Sequence, residues 1–468
     1  MENANTGKKA PETNLDDVRK KNQLKRVLPT SVGIAIGIGT AVGSGIFTTV
    51  GEVAAASGCA LFVVLSFILG GLKQIPEALF YAEVSTAFPQ NGAAYRYFER
   101  AGWRYLAFLS GCINFLGSDP PGIAIIAVAL ARYVAFFLPL GAAGVKVVAI
   151  ISILIFMFIY IRSTEGGGKL LNIITTFKII PFIILTLIGL AFINPQFIKA
   201  PAAAGAPVGI MALLAGISST SWSFDGCTNA VCVAGELKEP KKLPFVLISS
   251  VLGVTVLYAA FGGVIAGLLP FDVLSTSEAP VAEAFCQIPF IGNAGGGLVA
   301  AIGIVVILGS LGSCVFAQPR LQHTMALDGL WFQQFGKTSK YGTPAFSIVV
   351  QCLLACFFCC FLDFADLLGY FSFALQIRSF LGYFVIFKYR KMSTYKPTYR
   401  MPVWWLITGF LIVMSVLMII GTLQWAPTAS VIALVIGVVI SFIGFTYFNK
   451  KYGHLYTYEE ELKEHDGE

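Results

Sequence analysis

Charge is what this sequence has least of: only 12% of its 468 residues are Asp, Glu, Lys or Arg, where a soluble domain carries about 25%. That shortage excludes an ordinary water-soluble enzyme. Histidine is scarcer still. The three (His323, His454, His465) all fall outside the apolar runs, and no HExxH-type pair exists to hold a catalytic zinc. No metal or cofactor is expected. The ten cysteines do not compose a disulfide framework, since nine lie in or at the edges of apolar runs and only Cys286 falls in a connection. Cys352, Cys356, Cys359 and Cys360 share one helical face. Without polar support around them, they suit packing better than zinc. Long polar insertions are also missing, which excludes an embedded soluble domain. No cleavable leader is evident: Met1 to Val27 is polar and ends in Arg19, Lys20, Lys21, Lys25 and Arg26, and reads as a cytoplasmic tail.

What the sequence does have is apolar length. Hydrophobic residues make up 56% of it, and a membrane-crossing helix needs roughly 20 in a row. Twelve runs qualify as candidates: 33–56, 60–83, 105–138, 146–161, 170–192, 207–235, 245–269, 296–317, 345–362, 365–387, 403–423 and 428–448. The alternating segments of a β-barrel are not seen, so the expected fold is an all-α membrane protein of 12 transmembrane helices. Basic residues set its orientation. With the N-terminus inside, 26 of the 32 Lys and Arg residues fall in inside segments, whereas Lys146 and Lys199 alone fall outside. The remaining four, Lys73, Arg132, Lys178 and Arg378, sit within spans. This places a multi-pass chain in the cell inner (plasma) membrane with both termini cytoplasmic and membrane lipid around it. The net charge of +7 is then topological bias, and no nucleic acid partner is needed to explain it.

Two runs are unlike the rest. The first contains Gly37-Ile38-Gly39-Thr40-Ala41-Val42-Gly43-Ser44-Gly45-Ile46-Phe47, and the sixth carries Ser218-Ser219-Thr220-Ser221-Trp222-Ser223-Phe224-Asp225-Gly226. Glycine at this density weakens a helix, and four serines, a threonine and an acid do not suit a continuous lipid-facing one. Matching interruptions in two halves mark the midplane site of transporters built from repeats. Five crossings separate the two, which reverses the second copy. The expected organisation is a tail (1–27), a first repeat of five helices (28–193), an inverted second repeat (207–390), two C-terminal helices (401–448) and a second tail (449–468). Helices 1 and 6 are discontinuous in this scheme.

A helix break frees amide N–H groups on one side and carbonyls on the other. The N–H end attracts a carboxylate, helped by the helix dipole, while carbonyls suit an ammonium. Two such breaks facing each other match the two charges of a zwitterionic α-amino acid. Trp222 stands out because it is mid-span, whereas Trp103, Trp331, Trp404, Trp405 and Trp425 lie near span ends, where indoles anchor at headgroups.

Several stretches resemble one family in its own order. Gly39 to Phe47 is similar to the span-1 signature of the amino acid–polyamine–organocation superfamily, closest to its L-amino acid transporter branch. Thr175-Thr176-Phe177-Lys178, Phe224-Asp225-Gly226 with Gly235 to Pro240, Pro319-Arg320, Ala326 and Thr343-Pro344 resemble later motifs of that branch. The likeness implies a secondary transporter of small amino acids, permease or exchanger, working by alternating access without sodium, and not an enzyme. It implies that Gly43, Ser44 and Gly45 offer amides to the substrate carboxylate, that the carbonyls of Ala41, Trp222 and Asp225 receive its ammonium, and that Val42 and Ser223 complete the substrate-binding set. Trp222 would act as gate. Lys178 would stand where sodium-coupled relatives bind their ion, either as a fixed charge or as a proton carrier. The sequence departs from the branch at Cys227, Gly312 and Trp331, and the first two bear on the side-chain pocket. Animal members bind a heavy subunit through a cysteine between spans 3 and 4. The segment Leu138 to Lys146 has none, so no such partner is expected.

Lys73, Glu77, Asp119, Arg132 and Arg378 are further charges at membrane depth, where charge is costly and marks function by default. They divide between structural pairing and gating or recognition. The alternatives to amino acid transport are a carrier of polyamines or other organic cations in the same fold, which needs acids such as Asp225 and Asp119 in the pocket, and an amino acid sensor without flux.

Overall fold

The computed structural model describes residues 29–88, 93–162, 178, 180–200, 208–228, 230–231, 237–289, 292–341 and 343–452. The first tail, residues 453–468 of the second, Thr175 to Phe177 and Gly235-Glu236 lie outside them. Among the described residues there is no β-strand, as expected where every backbone polar group must be satisfied within its own segment. Among the described residues eight helices are long and apolar enough to cross a membrane, and Ile180–Leu190, Gly209–Phe224 and Ala345–Phe361 are shorter apolar ones.

The chain opens with α1 (Thr30–Ala41) and α2 (Ser44–Ser57), collinear halves of one broken helix, then turns into α3 (Ala60–Ala87). A short α4 (Ala93–Arg100) precedes α5 (Arg104–Cys112), which runs through a π turn (Ile113–Ser118) into α6 (Asp119–Ala135). This third span begins and ends earlier than the apolar run of 105–138 suggests. It is also the most enclosed, with 89% of its apolar window buried. Next come α7 (Ala142–Arg162), α8 (Ile180–Leu190) and the short α9 (Pro195–Lys199). The second broken helix consists of α10 (Gly209–Ser219) and α11 (Ser221–Phe224). It is followed by α12 (Leu243–Leu268), two short helices in the following connection, α13 (Phe271–Leu274) and α14 (Pro280–Cys286), and α15 (Gly292–Ala317) with its extension α16 (Arg320–Leu327). The chain closes with α17 (Ala345–Phe361), α18 (Phe364–Tyr383), α19 (Val385–Tyr389), α20 (Trp404–Trp425) and α21 (Pro427–Tyr452).

Small residues let the central helices meet at backbone distance. Helix α12 packs along both α3 and α1, and α10 packs along α2. A Cβ on Gly71 would come within 2.3 Å of Thr255 Oγ1, and one on Gly216 within 2.4 Å of Ser66 Oγ. Without a hydrophobic drive between helices in lipid, such approaches supply the packing. The outward faces are as apolar as lipid requires. Leu187, Val256, Phe361, Phe442 and Ile443 are exposed side chains of this kind.

Ion pairs define the two ends of the bundle. At one end Arg96 reaches Asp328 at 3.1 Å and Glu99 at 2.5 Å, Tyr95 donates to Asp328, and Thr343 donates to the Ile161 carbonyl. The loops there hold Arg96, Arg100, Lys337, Lys340 and Lys388 to Arg400, so we call this the basic end. At the opposite end Lys146 lies 3.9 Å from Asp363, and Arg132 lies 3.9 Å from Glu52 while its guanidinium covers the Phe364 ring. Trp331 does not anchor at a surface as its position near a span end suggested. It is buried against Phe108, Phe115, Phe335 and Phe448, because the chain after α16 folds back under the bundle and takes the indole with it.

The tightest knot at the basic end centres on Glu83. Fully buried on α3, its carboxylate accepts from Arg390 Nη2 at 2.7 Å, Tyr395 Oη at 3.0 Å and the Met401 amide at 2.8 Å. Burial, reinforced by that carboxylate, holds the Tyr395 phenol above its usual range, so it stays a donor. Removing one partner of a buried pair leaves the other charge uncompensated, at a cost of about 3–5 kcal/mol. Glu83→Ala is therefore expected to lower the melting temperature of the detergent-purified protein far more than Glu239→Ala, whose pairing with Lys242 is exposed. Equal melting temperatures for the two variants contradict this account.

Candidate functional site

Helix α1 stops at Ala41 because Val42 is extended (φ −68°, ψ 94°) and Gly43 more so (φ −157°, ψ −142°), before α2 restarts at Ser44. The Val42 amide still closes onto the Ile38 carbonyl at 2.8 Å. Beyond it the ladder is interrupted, and the first amides of α2 have no intrahelical acceptor. Ala41, Val42, Gly43 and Gly45 are all buried.

The second break is narrower than its serine content suggested. The stretch from Ser218 to Phe224 is helical: Ser219 and Thr220 return their hydroxyls to the carbonyls of Gly216 and Ile217, and the Phe224 amide bonds Thr220. Serine and threonine can satisfy themselves on the preceding turn of a helix, so the polar run alone does not break it. The break comes at Asp225 (ψ 132°) and Gly226, whose φ of 104° is open to glycine. In consequence the Trp222 carbonyl already accepts from the Asp225 amide at 3.3 Å. No hydrogen bond from a described residue reaches the Asp225 carbonyl.

Glycine brings the two breaks together. A Cβ on Gly45 would lie 2.7 Å from the Ser223 Cα, and one on Gly43 would lie 2.2 Å from Ser310 Oγ on α15. Thr49 ties the same junction, with its hydroxyl 2.6 Å from both the Gly45 carbonyl and Ser223 Oγ. Ala41, Val42, Gly43, Ser44, Gly45, Ser223 and Asp225 thus belong to one place on the crossing of two interrupted helices. Trp222 caps it. The indole is 8% exposed, meets Phe371 edge-on at 4.6 Å, abuts Gly122, and its Nε1 has no hydrogen-bond partner among the described residues.

Tyr258 was not anticipated. From α12 its hydroxyl donates to the Ala41 carbonyl, and its oxygen lies within reach of the Gly43 amide. It therefore spans the first break and satisfies a carbonyl that the sequence alone left free. A tyrosine in an apolar run carries no signal of this, because its partner is more than two hundred residues away. Ser310 and Gln376, which donates to Ser221 Oγ at 3.2 Å, were also missed. Lys178 is 1% exposed and lies near the Cys314 thiol of α15; among the described residues it has no hydrogen bond or ion pair. The i, i+4 residues Lys73 and Glu77 do not close into an ion pair, whereas Arg132 pairs with Glu52, a residue the sequence did not single out. No metal-binding cluster occurs among the described residues.

Two interrupted helices thus cross with backbone groups left out of the helical ladder, and no metal cluster accompanies them among the described residues. The profile of the amino acid permease family matches residues 30–445, nearly the whole bundle. The chain belongs to that family. It is accordingly a membrane transporter of the amino acid–polyamine–organocation superfamily and not an enzyme. This permease is 28% identical to the serine/threonine exchanger SteT of Bacillus subtilis over 306 residues, 65% of this chain and 69% of that one. It is 27% identical to the branched-chain amino acid permease BcaP of Lactococcus lactis over 441 residues, 89% and 94% of the two chains. It is also 29% identical to the methylthioribose transporter of Bacillus subtilis over 359 residues, 72% and 75%.

The two glycines give a graded test. Adding a methyl group at Gly43 meets the Ser310 hydroxyl, which can rotate away, whereas at Gly45 it meets backbone. Overpacking of this kind costs typically 1–3 kcal/mol. Gly45→Ala is expected to abolish substrate binding to the purified permease, and no change at Ser223 rescues it. Gly43→Ala is expected to reduce binding, with recovery in Gly43→Ala/Ser310→Gly. Equal effects of the two single variants contradict the geometry.

Proposed function

We propose that this permease carries small amino acids across the cell membrane by alternating access, as a permease or exchanger that does not use sodium. In this reading the chain crosses the membrane twelve times, with helices 1–5 and 6–10 as inverted repeats and helices 11 and 12 appended. The basic end faces the cytoplasm. The observation that carries it is the contact of Gly45 with Ser223 across two broken helices, which puts amides and carbonyls within the span of one zwitterion. Gly43, Ser44 and Gly45 hold the carboxylate; Ala41, Trp222 and Asp225 receive the ammonium at their carbonyls. Tyr258 shares the Ala41 carbonyl and holds the break in register between substrates.

Access is asymmetric in the manner a carrier needs. The second broken helix runs from the opposite end toward the basic end. Along it Trp222 is buried, and Asp225, one turn further on, is exposed. In this reading the site opens on the basic side of Trp222 and is closed beyond it by the packing of the indole on Phe371. Lys178 supplies a fixed positive charge beside α15, taking the place of a bound sodium. A serine/threonine exchanger and a branched-chain permease among the relatives support a neutral amino acid of modest size. No heavy subunit is required.

Counterflow in proteoliposomes tests this. Labelled serine, threonine, alanine, leucine, lysine and putrescine are offered to vesicles loaded with the same compound unlabelled. The expected result is saturable uptake of the neutral amino acids, unchanged when sodium is replaced by choline and abolished in Trp222→Ala. Stimulation by sodium removes the role given to Lys178. Binding without counterflow favours a sensor, and preferential uptake of putrescine, lost in Asp225→Asn, favours an organic-cation carrier. Tyr258→Phe, which removes one hydroxyl and leaves the ring packed on Phe67 and Phe224, is expected to slow exchange several-fold with little change in melting temperature. An unchanged exchange rate contradicts its place in the break.

A further inference from the structure

One set of side chains beside the breaks has no part in the transport reading above. On the basic side of Trp222, five elements bring charged and amide groups together: Glu77 from α3, Asn114 from the π turn, Asp119 and Asp225 from the starts of α6 and the second break, and Arg378 from α18. Arg378 Nη1 donates to Asn114 Oδ1 at 2.5 Å. Its Nε is buried and has no hydrogen-bond partner among the described residues. Asp119 and Asp225 both lie within electrostatic range of Arg378, and Glu77 lies within range of Asp225.

These opposite charges do not close on one another. Among the described residues no carboxylate forms an ion pair with Arg378, although the same bundle makes short pairs elsewhere, such as Arg390–Glu83 at 2.7 Å. Gln322 lies fully buried beside the Asp119 carboxylate. Buried polar groups are ordinarily satisfied, and charges at this depth are costly unless they serve a pathway. Here Asp225 stays exposed and Glu77 and Arg378 half-buried within the bundle, so the charges are held near each other without closing. The π turn contributes directly. Such turns occur mostly at functional sites, and this one carries the Asn114 that orients the guanidinium.

We propose that this cluster is a second substrate subsite, lying between the helix breaks and the basic end. It takes the carboxylate of a free amino acid on Arg378 and its ammonium on Asp225 and Glu77. The inference rests on the transport reading, since the ligand is the transported zwitterion. A guanidinium offers a planar fork that matches a carboxylate in two bonds, which an ammonium cannot. An amino acid leaving the backbone site passes into a site where side chains replace the amides, so neither of its charges has to enter a low-dielectric space unpaired. Because the subsite lies on one side of the Trp222 gate, it acts on one direction of access.

The test is side-specific. Saturation binding of labelled L-serine, L-alanine and L-leucine to the purified full-length permease is expected to reach two molecules per chain for the transported compound, and one in Arg378→Gln. Uptake in vesicles of opposite orientation is expected to show a KM raised on the order of tenfold at the basic face of Arg378→Gln, no change at the opposite face, and partial recovery in Arg378→Lys. Glu77→Gln, which keeps shape, is expected to show the same one-sided KM shift if Arg378→Gln does not fold. A stoichiometry of one in the unmodified chain, or KM shifts equal on both faces in either variant, overturns the subsite and leaves transport standing. Absence of saturable binding of every amino acid removes both.

Discussion

A peptide group without a hydrogen bond is expensive at membrane depth, and this structure is organised around two places where such groups are exposed. Elsewhere the backbone is closed into helices, as lipid demands. At Val42-Gly43 and at Asp225-Gly226 the ladder is interrupted, and the bundle around them is arranged so that the freed groups meet something. Tyr258 serves part of the first break, and Thr49 with Ser223 pins the two interrupted helices together. In the proposed reading a zwitterion supplies what is left. Its two charges are common to every amino acid, so the main chain can bind the class while side chains choose among its members.

Close packing is what makes the exposed backbone usable. Gly45 against Ser223 and Gly43 against Ser310 remove the side chains that would otherwise hold the breaks apart. The same device recurs at Gly37, Gly70, Gly71 and Gly216, where serine and threonine hydroxyls occupy the space of a missing Cβ. Such contacts are tight without being bonded, and they suit helices that change their relative tilt. Bonds that do not change are gathered at the basic end, around Glu83 and Asp328, where buried carboxylates fasten connecting loops to the bundle.

Much of this was legible in the sequence, for reasons that can be named. Apolar length and the distribution of Lys and Arg reveal a helical membrane chain without reference to any contact. The glycines of the first break are local in their effect, and the interruption at Val42-Gly43 falls inside the Gly37–Phe47 stretch that they mark. The second break lies within the Ser218–Gly226 stretch but is narrower than its polar residues suggest: the hydroxyls of Ser219 and Thr220 bond back within the helix, and the chain leaves it only at Asp225. Tyr258 and Asn114 could not be read, because each acts on a partner brought near only by folding. Arg378 and Asp119 were marked by charge alone, and geometry was needed to show that they are neighbours without being a pair. Trp331 shows the opposite error, where position along the chain suggested a surface and the fold supplied a core.

The account depends on the backbone of two broken helices gripping the charged ends of the substrate. The most direct measurement is competition for binding by analogues of the transported amino acid that lack one charge, its methyl ester and its deaminated acid, against analogues altered only in the side chain. The account predicts that loss of either charge weakens binding by on the order of a hundredfold or more, as expected for charge-assisted hydrogen bonds left unmade, while modest side-chain changes cost far less. Comparable affinity for the ester and the parent amino acid would contradict it.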